Sequence, residues 1–313
     1  MKVEWRLLAV MAAAGACMIT LPMLAPGSSD NAEKDIQPNG RGAGTLLNPG
    51  QGNAGEAKGA KPGGGGTTSN GIFYHGGPVM LTINVYYIWY GDWSGNSANA
   101  ILETLASHIG GSPYFNINTT YYDGTNARVP NSVAFLRSTT DNYSRGSTLS
   151  DSDIQAIVSS AISSGRLPKD QNGAYFVLTS KDVAESSGFC TVYCGWHTWG
   201  TLNGSNIKYS FVGNADRCPS ACEAQTTSPN NNAGADAMAS VIAHELEEMA
   251  TDPNLNAWYD RRGYENADKC AWTFGTTYTT SNGAQANMNL GGLNFLIQRN
   301  WVNASGGYCA LSY

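Results

Sequence analysis

The sequence predicts an α+β (mixed α/β) domain, a central mixed β-sheet with helices packed on it and disulfides bracing it. Three observations point there. Segments rich in β-branched and aromatic residues are interspersed with segments whose apolar residues recur at helical spacing, without a strict βαβ rhythm. Of the 313 residues, the first 70 lack the character of a folded domain, leaving about 240, enough for one large domain with its own core. Seven cysteines are present, and the six beyond Cys17 all lie between positions 190 and 309.

The elements follow in order. Val79–Tyr90 reads VMLTINVYYIWY between Gly-Pro and Gly-Asp, a strand buried on one or both faces. Residues 97–109 set Ile101, Leu102, Leu105 and Ile109 at helical spacing. A second helix starts at Ser150 with Asp153 in capping-box position, its apolar face being Ile154, Ile157, Val158, Ala161 and Ile162. Ala174–Thr179 and Tyr209–Val212 are short strands. A third helix is expected from Asp236, as N-cap, to about Thr251, with Pro253 just past its end. Residues 294–302, NFLIQRNWV, read as a last strand.

The N-terminus has the layout of an export signal over residues 1–26: Lys2 and Arg6, then an apolar run from Leu7 to about Ala16, then small residues. A transmembrane anchor is the competing reading, weakened by Glu4 and by the ~20 apolar residues a span requires. Lipidation at Cys17, after Ala14-Gly15-Ala16, is a variant of export. Residues 27–70 include Pro62–Gly66 (PGGGG) and almost no large apolar residue, so they read as a Gly-rich tether, and residues 71–313 as the globular domain. An exported chain is expected to pair Cys190, Cys194, Cys218, Cys222, Cys270 and Cys309 as disulfides. Cys270 with Cys309 is the expected pair, and the other four allow three pairings. Metal binding by the two C-x-x-x-C pairs is the alternative. The net charge of −6 argues against nucleic acid or an anionic membrane as partner.

The third helix carries AHELEEMATDP, residues 243–253. His244 and Glu248, four apart, lie on one helix face. The pattern is that of zincin-like H-E-x-x-H helices with a carboxylate as second ligand, in which Glu245 is the candidate general base. Glu265 follows Glu248 by 17 residues and is the candidate third ligand, and Asp268 either orients His244 or ligates directly. Glu245, Glu247 and Glu248 fall toward the C-terminal half of the helix, where the macrodipole disfavours negative charge. Either a cation compensates them or the helix is a solvated acidic one. Zinc suits the imidazole; calcium or manganese suits the carboxylates. His197, in CGWHTW, is expected as a satisfied structural residue, with an additional ligand or an oxyanion donor as the alternatives. His75 is expected to pack or hydrogen-bond, and His108 to sit at a helix C-terminus. The scattered tryptophans are expected mostly in the core. No nucleophile elbow or phosphate loop is present in the sequence.

The segments YHGGPV (74–79), INVYYIWYGDW (83–93), VLTSKDV and GFCTVYCGWH (177–197), YSFVGNA with CPSAC (209–222), SVIAHELEE (240–248), DPNLNAWY (252–259) and YENADKC (264–270) resemble the EXORDIUM-like, phosphate-induced protein family of secreted proteins. The resemblance implies secretion, and the plant members look like cell-wall-associated proteins that promote cell expansion. It leaves two functional expectations. One is a zinc hydrolase, peptidase-like, acting on a peptide or carbohydrate. The other is a non-catalytic extracellular, wall- or carbohydrate-associated protein with a structural metal or none.

Overall fold

A computed structural model describes residues 71–260 and 263–313; the expected signal and tether lie outside the described residues. Its centre is a mixed five-stranded sheet built from β1 (Asn84–Tyr90), β2 (Ala134–Asp141), β3 (Gly173–Thr179), β4 (Gly195–Leu202) and β5 (Ser205–Val212). The order is β2-β1-β3-β5-β4, with the first three pairings parallel and β4 antiparallel to β5. Three helices pack on it: α1 (Ala98–His108), α2 (Asp151–Ser163) and α3 (Ala233–Thr251). α1 lies against β2 and α3, α2 against β3 and β5, and α3 against β4, β5 and β3.

The unbroken apolar composition of β1 and β3 has its reason here. Both are central and parallel, and all of β3 and nearly all of β1 is buried. The paired ring stack of Tyr86 on Tyr175, with centroids 4.8 Å apart, crosses this register. The ladder of β1 begins at Asn84, later than the expected Val79. Residues 79–83 are drawn off toward α3, where Met80 N donates to Ala250 O at 2.9 Å, although Val79, Met80 and Ile83 are buried as expected. β5 is longer than expected because it pairs along its length with β4.

α2 starts as expected: Ser150 Oγ accepts from Asp153 N at 3.3 Å, and Asp153 accepts from Ser150 N at 3.0 Å. The cap of α3 is Asn232, whose side chain accepts from Ala235 N at 3.0 Å. Asp236, expected there, sits one turn in and accepts from Asn230 N at 2.8 Å, bracing the loop before the helix. The expected last strand is two, Leu293–Phe295 and Asn300–Val302. Between them the backbone leaves the ladder to find other partners: Ile297 N donates to Asn287 Oδ1 at 2.9 Å and Gln298 N to Ser240 Oγ at 3.1 Å.

Three disulfides brace the fold: Cys190–Cys218, Cys194–Cys222 and Cys270–Cys309. The first two join the loop before β4 to the segment after β5, and they leave the C-x-x-x-C cysteines no role as metal ligands. The third ties the loop after α3 to the C-terminus, as expected. Trp89, Trp93, Trp196, Trp258 and Trp272 are buried, and Trp199 is exposed. His75 stacks on Tyr259 with centroids 3.6 Å apart, and His108 Nδ1 contacts Thr104 O at the end of α1. Among the described residues no helix is long and apolar enough to cross a membrane.

Candidate metal centre

α3 is buried along nearly its whole length, so its acidic residues are not a solvated face. Glu245, Glu247 and Glu248 are each 0% exposed and His244 1%. The helix is covered on one side by the sheet and on another by the C-terminal segment, where Asn300 Nδ2 donates to Glu247 Oε2. Burial pushes the Glu247 carboxyl well above the ordinary range, against the pull of its hydrogen bonds with Asn118 and Asn300. Glu247 thus faces a neutral amide pocket, whereas Glu245 and Glu248 face the centre described next.

The end of α3 is shaped to bring a second segment back. Asp252 Oδ1 accepts from Asn256 N and Ala257 N, both at 2.6 Å, reversing the chain after the helix. A turn at Asp260, which accepts from Tyr264 N at 3.1 Å, then delivers residues 265–268 to the helix. There Asp268 N donates to Glu248 Oε1 at 2.9 Å, and Glu265 N to Asp268 Oδ2 at 3.2 Å. His244 Nε2 stands 3.0 Å from Glu248 Oε1 and 3.7 Å from Asp268 Oδ1.

β4 supplies the remaining imidazole. Gly195 and His197 point to the same side of the strand, toward α3. A Cβ on Gly195 would lie 2.5 Å from Val241 Cγ1 and 3.1 Å from Glu245 Oε1, so the absence of a side chain there lets strand and helix approach. His197 Nδ1 then reaches to 3.4 Å from Glu245 Oε2 and 3.7 Å from Glu248 Oε2. Glu265 Oε2 lies 3.6 Å from the other ring nitrogen, Nε2.

The structure therefore brings every sequence-derived site residue into one buried cluster, in an arrangement the sequence did not specify. Among the described residues, two sets of side chains have donor atoms within 4.8 Å of one another and could hold a metal ion: His197, Glu245 and Glu248; and His244, Glu248 and Asp268. Glu265 stands against His197, outside both sets, in the place of a residue that orients a ligand. Sequence reasoning missed Gly195 and the strand β4 itself, the two features that carry His197 to the helix. A small residue two positions before a histidine in an aromatic, Thr-containing run is the signal they leave.

The donor spacing around His197 differs from that of a hydrogen-bonded pair, whereas His244 is within hydrogen-bond distance of Glu248. Charge-assisted hydrogen bonds run to ~2.7–2.9 Å, whereas ligands each ~2.0–2.2 Å from a tetrahedral ion lie roughly 3.3–3.6 Å from one another. The contacts of His197 Nδ1 at 3.4 and 3.7 Å fall in or near the second range. Glu248 Oε2 is buried and makes no hydrogen bond. Burial holds His197 toward its neutral, ligand-competent form, against the opposing pull of Glu248 and Asp252. At His244 burial also disfavours charge, but the Glu248 carboxylate and the hydrogen bonds with Asp268 and Glu248 outweigh it and raise its proton affinity well above the usual. A field that holds a proton there favours any cation in the same place.

The fold and the cluster define a disulfide-braced α/β protein with a buried histidine–carboxylate centre. A family model described as "Phosphate-induced protein 1 conserved region" matches residues 72–292, and the chain belongs to that family. It is 33% identical over 270 residues to Protein EXORDIUM-like 5 of Arabidopsis thaliana, covering 73% of this chain and 74% of that protein. To Protein EXORDIUM-like 3 of the same plant it is 33% identical over 276 residues, covering 75% and 81%. To Protein PHOSPHATE-INDUCED 1 of Nicotiana tabacum it is 26% identical over 217 residues, covering 59% and 66%. No solved structure matches the chain.

Proposed function

We propose that this chain is an exported protein whose buried centre binds a divalent cation, and that the cation fastens α3 to β4 and to the 264–270 loop. The observation that carries this reading is the set of buried imidazole and carboxylate donors converging within 4.8 Å, those around His197 Nδ1 standing at 3.4 and 3.7 Å, beyond hydrogen-bond spacing. Mixed nitrogen and oxygen donors suit zinc first and manganese next; calcium, which takes oxygen ligands, suits them least. His244, Glu248 and Asp268 form one donor set for the ion, and His197, Glu245 and Glu248 the other. Export agrees with three disulfides and with the signal expected at residues 1–26.

A second reading is hydrolysis at this centre. The set of His244, Glu248 and Asp268 offers three protein donors without engaging Glu245, the number that leaves a position open for water in catalytic zinc sites. The bound ion would supply Lewis acidity; Glu245 would accept the proton of the attacking water, and His197 would be held for that step by Glu265. The burial of His197, Glu245 and Glu248, all 0% exposed, weighs against a polymeric substrate and in favour of the structural reading.

Elemental analysis of full chain exported and purified without chelator tests the first reading. Zinc or manganese at or above one equivalent is expected, and its loss in Glu248→Ala. Metal-free wild-type protein that remains metal-free after refolding with zinc would refute it. The readings separate at Glu245→Gln: loss of a peptide- or polysaccharide-cleaving activity present in wild type, with metal at the His244 set retained, supports hydrolysis, and no such activity in metal-loaded wild type supports the structural role.

A further inference from the structure

The geometry points to a dinuclear centre: two cation positions, bridged by the carboxylate of Glu248. This deepens the metal-binding reading above and rests on it.

Glu248 belongs to both donor sets, and it is the one residue they share. Its two oxygens are divided between them. Oε1 faces His244 Nε2 at 3.0 Å, with Asp268 on the same side. Oε2 faces His197 Nδ1 at 3.7 Å, the nitrogen that also stands 3.4 Å from Glu245 Oε2. A single ion with ligands at ~2.0–2.2 Å cannot have donors farther apart than about 4.4 Å. The donors nevertheless fall into two separate triplets, each within 4.8 Å, and not into one group of five. Two ions sharing a carboxylate, one on each oxygen, meet this division directly, and such pairs are a recurrent arrangement in metal sites.

The buried oxygen Glu248 Oε2 supplies the independent indication. It is shielded from solvent, it makes no hydrogen bond, and it is aimed at a ring nitrogen too distant for one. A mononuclear centre at His244, Glu248 and Asp268 would leave that oxygen without a partner in the interior, at the desolvation cost of an unpaired charged group. A second ion removes the cost. The elements also divide between the positions: α3 and the 264–270 loop build one, β4 and α3 the other, so the pair would couple three segments distant in sequence.

The test is manganese loading of the full, disulfide-intact chain after chelator treatment, read by bound-metal stoichiometry and by electron paramagnetic resonance. Two equivalents with a spin-coupled signal are expected. His197→Ala and, independently, Glu245→Gln should each halve the stoichiometry and turn the coupled signal into that of an isolated ion. Glu248→Ala should lose both ions. Circular dichroism on each variant checks that it is folded, and the wild-type stoichiometry stands even where a variant is not. One equivalent in wild type with an uncoupled signal overturns the dinuclear inference and leaves the metal-binding reading intact. No bound manganese or zinc overturns both.

Discussion

Gly195→Ala probes the close approach on which the centre depends. The added methyl carbon would sit 2.5 Å from Val241 Cγ1, 2.9 Å from the Phe211 carbonyl oxygen and 3.1 Å from Glu245 Oε1. Carbon–carbon contacts are comfortable at ~3.5–4.0 Å, so α3 and β4 must separate by roughly 1 Å, because the Phe211 oxygen belongs to the sheet backbone and does not yield. Overpacking of this kind costs ~1–3 kcal/mol. In a domain of this size each kcal/mol moves the melting temperature by ~2–4 °C, so Tm should fall by roughly 2–12 °C. Separation also lengthens the 3.4 Å contact between His197 and Glu245, so metal held by that set should weaken while the His244 set is retained. The double variant Gly195→Ala/Val241→Ala removes one of the clashes and should be more stable than the sum of the single effects. The assay is thermal denaturation by circular dichroism with metal content measured in parallel. A variant that melts with wild type and binds the same metal would show that the strand–helix approach does not position the centre.

Glu247→Gln should keep metal and lose little stability, since an amide reproduces the acceptor that Asn300 uses, whereas Glu248→Gln should lose metal; equal metal contents by elemental analysis would refute the division of roles on α3. Glu223, beside Asp216, is pushed by burial and by that neighbour from 4.5 to about 7. The folded chain therefore keeps a proton that the unfolded chain has released between these values, so this residue's contribution to stability falls as pH rises from 4.5 through 7. Denaturant unfolding of Glu223→Gln and wild type should show the variant gaining on wild type from pH 5 to pH 8, and a constant difference would contradict this. Replacing Cys270 and Cys309 by serine opens a loop of 39-residue separation. The chain-entropy model puts the loss at about 4 kcal/mol, which should appear as a Tm fall on the order of 10 °C, and an unchanged Tm would show that the C-terminus docks without the bridge.

What was legible in the sequence was what local pattern determines. The run 79–90 marked a buried strand, and the Ser150–Asp153 pair marked the start of α2. The four-residue spacing of His244 and Glu248 put both on one face of α3. What was not legible depended on partners. β2, an edge strand with mixed exposure along Ala134–Asp141, lacks clean alternation and is a strand because β1 pairs with it. β4 contains two glycines, a histidine and two threonines, and its ladder with β5 defines it. The cap of α3 was misplaced because Asp236 is a good cap by type, but Asn232 reaches the Ala235 amide first and Asp236 is engaged by Asn230. In the centre, Asp268 reaches Glu248 through the Asp252 reversal and the Asp260 turn. His197 arrives from a strand 47 positions before His244, a tertiary contact that spacing does not encode. The sharing of Glu248 between two donor sets could be seen only once all of these segments were in place.

The central claim is that a divalent cation at the buried centre holds α3, β4 and the 264–270 loop together, and its most direct test is the melting temperature of one disulfide-intact preparation with and without metal. Protein refolded in chelator should melt lower than the same protein refolded with zinc at about one hundred times its dissociation constant. The linkage at that excess is ~2.7 kcal/mol per ion, or roughly 5–11 °C for a domain of this size, and it should disappear in Glu248→Ala. Identical melting curves with and without zinc and manganese would contradict the account.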